Sequence, residues 1–451
     1  MLVEDCSSPD RFLTVDLKKI LHKLLGRSFG ESEFSRNILT LLTGSTIAQA
    51  VPILIAPILT RIYSPAEYGT LAIYVSIVAL VSVVATGQYE LAVVLPKEEG
   101  KAVNLMALVW WLVTIVSIVI AVLIFFFEDE IIFLIENESV RPWLMLVPLS
   151  VFLTGVYQSF NYYATRWKQF KMLASNRVVQ AVVTPGVKLG FGWFGFTTNG
   201  LIAGTIVGQA MAVGLLVGRL RKYIKPDLKG IRREEMKVVA REHQDFPKVG
   251  MLQTFLDSFK ESGILLVISA FFGATALGYY SFAYRILRMP LNLIGSSVTS
   301  VFYQKANEIH NDGQSIWPLT KKIILRLALA AFPILLIVVL FGPQLFGWVF
   351  GKEWSVAGEY ARLLSPWIMA HFIGSPVSSV PLILQRQKTF LYIGAGYSLS
   401  VFGMFFLCGG GFDWNIDLTL GIVSGYASAY MVGVIIWIRH ISIKGGKLNI
   451  A

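Results

Sequence analysis

Cysteine is almost missing from this chain. Two in 451 residues, Cys6 near the start and Cys408 inside a late apolar run, cannot build a disulfide framework, and no CxxC or Cys/His cluster suggests a metal. No GxxxxGK[ST] loop is present to cradle the phosphates of ATP, and no re-entrant filter or ring-forming motif of an ion channel is visible. Residues 1–10 lack a basic segment leading into an apolar one with a small-residue cleavage site, so no removable signal peptide is expected. Charge is scarce too, at 15% of residues against 55% hydrophobic. With a mean hydropathy of +0.63, that balance excludes an ordinary soluble domain; no cofactor is expected.

What is present is a series of long apolar runs. Twelve are counted, at 38–60, 67–95, 102–127, 142–165, 171–194, 198–218, 249–272, 277–303, 322–346, 359–385, 389–411 and 418–438. The expected fold is an all-α membrane protein of twelve transmembrane helices. A net charge of +11 could point to nucleic acid in a soluble chain, but here the basic residues lie mostly in connections beside apolar spans, so no nucleic-acid partner is expected. Alternate connections carry them: Lys97 and Lys101, Arg166 to Lys171, the cluster from Arg219 to Lys248, Lys305 to Lys322, Arg386 and Lys388. The intervening connections are mostly acidic or neutral, with Glu128, Asp129, Glu130, Glu136 and Glu138 after the third span. By the positive-inside rule both termini are expected in the cytoplasm.

The longest connection divides the spans six and six. Sliding one half on the other by 209 positions lays Tyr63–Gly69 on Phe272–Gly278, each the turn between a half's first two spans, and at a shift of 220 Arg166-x-Lys168-x-Phe170 lies on Arg386-x-Lys388-x-Phe390. An even number of spans in each half makes the repeats parallel, so two six-helix lobes around a central cavity are expected. The organisation reads as a cytoplasmic segment 1–33, an N-lobe 34–220, a cytoplasmic linker 221–248, a C-lobe 249–440 and a tail 441–451. Within the first segment, Leu13, Leu17, Leu21, Leu24 and Leu25 share a helical face with Lys18, Lys19, Lys23 and Arg27 around the other, the pattern of a helix lying on an anionic leaflet.

The seventh and eighth spans carry too much charge for lipid. The first holds Asp257, Lys260 and Glu261 and the second Arg285 and Arg288, all within the middle third of a core roughly 30 Å thick. Each would cost on the order of 2.5 to 3.5 kcal/mol if it faced hydrocarbon unpaired, so they must face one another or water. Either they form an ion-paired seam that fixes two helices, or they line a water-filled cavity that receives an anionic headgroup. Asp257 and Glu261, one turn apart, are the candidates for coupling to H+ or Na+. Glu90 near the end of the second span could be a proton or cation ligand or snorkel to the interface, and Lys188 in the fifth could touch a sugar or reach water along its stem. His371 is left out of the site, and Tyr157, Asn161, Tyr162 and Tyr163 suit either sugars or an interface belt.

The run Phe34-Ser35-Arg36-Asn37-Ile38, leading through Ala56-Pro57-Ile58-Leu59-Thr60-Arg61-Ile62-Tyr63-Ser64-Pro65-Ala66-Glu67-Tyr68-Gly69, resembles the start of Wzx-type O-antigen flippases, and the twelve-span plan is similar too. The resemblance implies movement of an undecaprenyl-diphosphate-linked oligosaccharide from the cytoplasmic to the periplasmic leaflet, in a superfamily that includes drug/cation antiporters and the lipid II flippase. Partners are then that lipid-linked oligosaccharide, membrane lipids and polysaccharide polymerase machinery. Relatives of this kind line the cavity with basic residues, a role that Lys260, Arg285 and Arg288 suit by position. The chain departs from them in the first lobe, where no arginine lies in the middle of span one. Two other functions fit the architecture less well. A cation-coupled multidrug antiporter would want an acidic, aromatic cavity. A membrane glycosyltransferase would bring a large outer loop, whereas the longest outer connections here span about fifteen to twenty residues. The protein is therefore not expected to be an enzyme.

Overall fold

The computed structural model describes residues 33–224, 230–412 and 414–445. The leucine and lysine pattern of residues 11–29 and the end of the C-terminal tail lie outside the described residues. Among those described the chain is helical, without strands. The main helices are α1 (Glu33–Leu59), α2 (Pro65–Thr86), α3 (Glu99–Ile135), α4 (Val147–Arg166), α5 (Phe170–Trp193), α6 (Thr197–Ile224), α7 (Arg233–Glu242), α8 (Met251–Asn311), α9 (Trp317–Phe350), α10 (Ser355–Gly374), α11 (Gln387–Phe406) and α12 (Ile416–Gly445). Each expected span overlaps one of these helices, α8 holding two, but the tenth, drawn through residue 385, leaves α10 at Gly374 and continues in the short turns Pro376–Ser379 and Val380–Ile383. By length and apolarity alone, seven described helices can cross a membrane, or eight if the pair Glu138–Leu144 and Val147–Arg166, bent by 59°, is one span. The most apolar window of α9 has a mean hydropathy of 2.8 yet only 17% of it is covered by protein, an arrangement stable only against lipid.

Local chemistry sets several boundaries. Ser64 caps α2 in a reciprocal box with Glu67, with Pro65 in the first turn, an arrangement worth about 1 kcal/mol. That helix stops at Thr86, because Gly87 and Gln88 are both left-handed, at φ 56° and 59°. The expected second span, drawn through residue 95, therefore ends early, and Glu90 sits in a separate short turn, Tyr89–Ala92. In α3 the helical path breaks at Phe127, where the expected third span ends, before the acidic stretch. Arg141 gathers that stretch, with Nη1 2.6 Å from Asp129 and Nε 2.7 Å from Glu138. Its hydrogen bond holds the Glu138 carboxyl below the usual carboxylate range. At Gly273 φ is 81° and ψ 169°, a conformation open only to glycine, and this single residue turns α8 from one span into the next. The linker, expected as a connection, contains the amphipathic α7, whose buried Val239 faces α3 while Lys101 pairs with Glu242 at 2.9 Å.

The helices pack in two sets. In the first, α1 lies on α5, α5 on α6, α3 on α4, and α4 on α6 and α2; in the second, α9 lies on α10, α10 on α12, and α8 on α10 and α11. The broadest packing between the sets is α2 against α8. At one end they meet at backbone level: a β-carbon on Gly69 would collide with the carbonyl oxygen of Ala274, and one on Gly278 with that of Pro65. Each contact maps onto the other under the 209-residue offset, so this end is a pseudo-symmetric seam. Trp354 seals it, donating its indole N–H to the Thr60 carbonyl at 2.9 Å and packing edge-on against Tyr68 at 5.2 Å. The second sequence match recurs in a different register. Lys168 and Gln385 are both left-handed, and the next amide in each case reaches back five residues, Gln169 to Ala164 at 2.9 Å and Arg386 to Pro381 at 2.7 Å. The turns are thus equivalent with Lys168 on Gln385, three residues away from the register that aligning Lys168 with Lys388 suggests.

Candidate substrate cavity

Two chambers lie beside α8. The larger, about 600 Å³, is formed by α1, α2, α5 and α6 with one face of α8, chiefly its second half. Among the described residues its charged lining is Arg177 and Lys188 from α5 and Arg285 from α8, with no carboxylate. Gln49, Gln180 and Gln209 add neutral polar groups. Lys188 is 9% exposed, because its stem lies against α6 at Gly204, where a β-carbon would strike the lysine Cγ. The Lys188 carbonyl accepts a hydrogen bond from the Tyr63 hydroxyl at 2.6 Å, which ties α5 to the turn after α1. Arg177 donates to the Ser45 hydroxyl at 2.9 Å and to the Tyr157 oxygen, so it is aimed across the bundle rather than toward lipid. Like charges gathered without counter-ions store repulsion that an arriving anion relieves.

The smaller chamber, about 440 Å³, belongs to α8, α10 and α11. Lys260, Glu261 and Arg288 line it together with Asn292 and His371, among the aromatic rings of Tyr280, Tyr284, Trp367 and Tyr397. Arg288 is held on three counts: Nη1 is 3.2 Å from Glu261, it donates to the Tyr284 hydroxyl, and its guanidinium lies 5.2 Å from the centre of that ring. Trp367 donates to the Tyr397 hydroxyl at 2.6 Å. Leu265 and Ser281 line both chambers, so only the thickness of α8 separates them.

The five mid-span charges therefore do not form one cluster. Arg285 and Arg288, three residues apart, are turned into different chambers. Glu261 pairs with Arg288 rather than with Lys260, and Lys260 makes no ion pair among the described residues. Asp257 is exposed, lines neither chamber and likewise has no ion pair among the described residues. Glu90, 8% exposed, lines neither; its side chain is hydrogen-bonded to Thr86, and Oε2 is buried without a partner. Lys188 does reach the larger chamber, and His371, set aside on sequence grounds, lines the smaller. Arg177 was missed. Seven residues into α5, roughly 10 Å from its start, it was already inside an apolar span, and its sequence position alone could have flagged it.

A two-set helical bundle enclosing polar chambers, with apolar flanks exposed, is the architecture of a multi-pass membrane protein. The chain superposes on an inward-facing multidrug resistance MATE family transporter of the MOP superfamily with a TM-score of 0.68, at 14% identity, covering 89% of this chain and 96% of the other. For an outward-facing MATE family transporter the TM-score is 0.57, at 14% identity, covering 95% and 99%. For a MOP superfamily transporter from Pyrococcus furiosus Vc1 (DSM3638), described as having a binding pocket of reverse polarity, it is 0.55, at 14% identity, covering 91% and 96%. At such identities the likeness establishes the fold. The chain belongs to the family of polysaccharide biosynthesis proteins, whose profile matches residues 58–359. It is 22% identical over 379 residues to the lipopolysaccharide biosynthesis protein WzxC of Escherichia coli (strain K12), covering 81% of this chain and 73% of that one. It is 24% identical over 315 residues to the teichuronic acid biosynthesis protein TuaB of Bacillus subtilis (strain 168), covering 65% of this chain and 60% of that one. Fold and family together make it a multi-pass helical membrane protein of a polysaccharide biosynthesis family.

Proposed function

We propose that the protein is a flippase that carries an undecaprenyl-diphosphate-linked oligosaccharide from the cytoplasmic to the periplasmic leaflet of a bacterial inner membrane. The observation that carries this reading is the larger chamber, with Arg177, Lys188 and Arg285 and no carboxylate among its described lining residues. Such a field attracts a diphosphate and repels the cationic drugs that a multidrug antiporter would export. Arg177 and Arg285 offer planar forks suited to phosphate oxygens, and Lys188 a point charge. In this reading the chain crosses the membrane twelve times as two lobes, 34–220 and 249–440, with both termini cytoplasmic. The seam of Gly69, Gly278 and Trp354 is then the closed periplasmic gate.

Coupling to H+ or Na+ fits Glu261 better than Asp257, because Glu261 neutralises Arg288 inside a chamber while Asp257 stands outside. Binding a cation at Glu261 would release Arg288 for the cargo, and by linkage the cargo would favour the cation. Polysaccharide polymerase machinery is the expected recipient of the product. The test is transport of labelled diphospholipid-linked oligosaccharide by the purified protein in vesicles. Movement across the bilayer that is lost with Arg177, Lys188 and Arg285 all changed to alanine is expected. Transport of a cationic dye in place of the lipid would overturn the reading.

A further inference from the structure

The smaller chamber has a composition that the flippase reading does not by itself require. Its walls are aromatic: Tyr280 and Tyr284 are stacked with centres 5.8 Å apart, Trp367 meets Tyr284 at 6.2 Å, and the Trp367–Tyr397 hydrogen bond holds two of these rings together. Polar and charged groups of several kinds, Lys260, Glu261, Asn292 and His371, share the lining with these rings. A diphosphate would find Glu261 there, which offsets one of the two fixed cations, and would do better in the acid-free chamber next door. A lipid tail would have to cover charges. A cationic drug would meet Lys260 and Arg288. A sugar ring satisfies every wall, since its C–H face stacks on aromatic rings while its hydroxyls both donate and accept around the edge.

We propose that this chamber is a sugar subsite that holds the first residues of the oligosaccharide while the diphosphate occupies the larger chamber. This rests on the flippase reading. Position supports it: the first sugar is bonded directly to the diphosphate, and the two chambers adjoin, sharing Leu265 and Ser281 in their linings. Arg285 and Arg288, one turn apart on α8, then divide the cargo between them, one holding phosphate and the other, braced by Glu261 and Tyr284, meeting sugar hydroxyls. A volume of about 440 Å³ falls in the range of roughly 300–1,000 Å³ of small-molecule sites. The chamber has room for the first sugars only.

Two lipids separate the chambers: undecaprenyl diphosphate without sugar, and undecaprenyl diphosphate carrying the oligosaccharide, extracted from the source cells. Binding of each to the full-length protein in nanodiscs is measured for wild type, Trp367→Ala and the double variant Lys260→Ala/Asn292→Ala. The expected result is a loss of tenfold or more in affinity for the sugar-bearing lipid in both variants, with affinity for the sugar-free lipid changed less than twofold. If Trp367→Ala does not fold, the double variant decides alone. Equal losses for both lipids in the double variant, unchanged binding of the sugar-bearing one, or equal wild-type affinity for the two would overturn the subsite while leaving the flippase standing. A wild type that binds neither lipid would overturn the flippase reading, and the subsite with it.

Discussion

Arg285 shows how much a single position means once its neighbours are known. In the sequence it is one of two arginines a turn apart, and nothing separates it from Arg288. In the fold it completes a triad with Arg177 and Lys188 from the other half of the chain. Arg177→Ala, Lys188→Ala and Arg285→Ala are each expected to lower vesicle transport by tenfold or more at normal abundance, since among the described residues none of the three makes an ion pair whose partner would be stranded. Arg285→Lys should recover part of the activity, because a point charge replaces a bidentate fork. Glu261→Gln separates two roles. If Glu261 couples transport to a cation, the variant keeps its abundance and loses dependence on an imposed H+ or Na+ gradient. If the pair with Arg288 only holds helices together, abundance falls and the gradient dependence of the remaining protein stays as in wild type.

Between elements, the seam joining α2 to α8 makes the sharpest claim. Gly69 and Gly278 let two helix starts touch backbone to backbone, and a side chain at either would meet a carbonyl oxygen of the opposite half. Gly69→Val and Gly278→Val are expected to hold this end apart. A cysteine introduced at Thr184, which lines the larger chamber, should then react with an impermeant reagent added outside spheroplasts, and react little in the parent. Equal labelling in both backgrounds would show that the seam is not a gate. Trp354→Ala removes an indole that is 1% exposed together with its bond to Thr60. A loss of about 3–5 kcal/mol is expected from comparable truncations, read as a lower melting temperature in detergent.

For the molecule as a whole the testable quantity is its orientation. The basic connections predict that Gly230, next to α7, is cytoplasmic and that Glu130 is periplasmic. In a background lacking Cys6 and Cys408, Glu130→Cys should be labelled from outside intact spheroplasts and Gly230→Cys only after lysis. Labelling of position 230 from outside would invert the map, and with it the assignment of the glycine seam to the periplasmic side. Two chambers on either side of one helix also bear on how such a molecule moves, because a cargo that engages both is sensitive to their relative position.

Much of this protein was legible before any coordinates. Apolar run length located the helices, because covering a hydrocarbon core takes about 20 residues whatever their neighbours are. The 209-residue offset pointed to the paired turns that meet at Gly69 and Gly278, since a backbone-level contact needs a glycine on each side. Cations at mid-span announced a polar interior, because hydrocarbon does not tolerate them unpaired. What the chain alone left open was which of those charges would share a chamber. Three residues on a helix turn a side chain by about 60°, enough to send Arg285 and Arg288 into different cavities, and the partners that define each cavity, Arg177 and Lys188 in one and Trp367 and Tyr397 in the other, lie roughly 80 to 110 positions away in sequence. Charge at a given depth is a local property of the chain; the company it keeps is decided by how the helices pack.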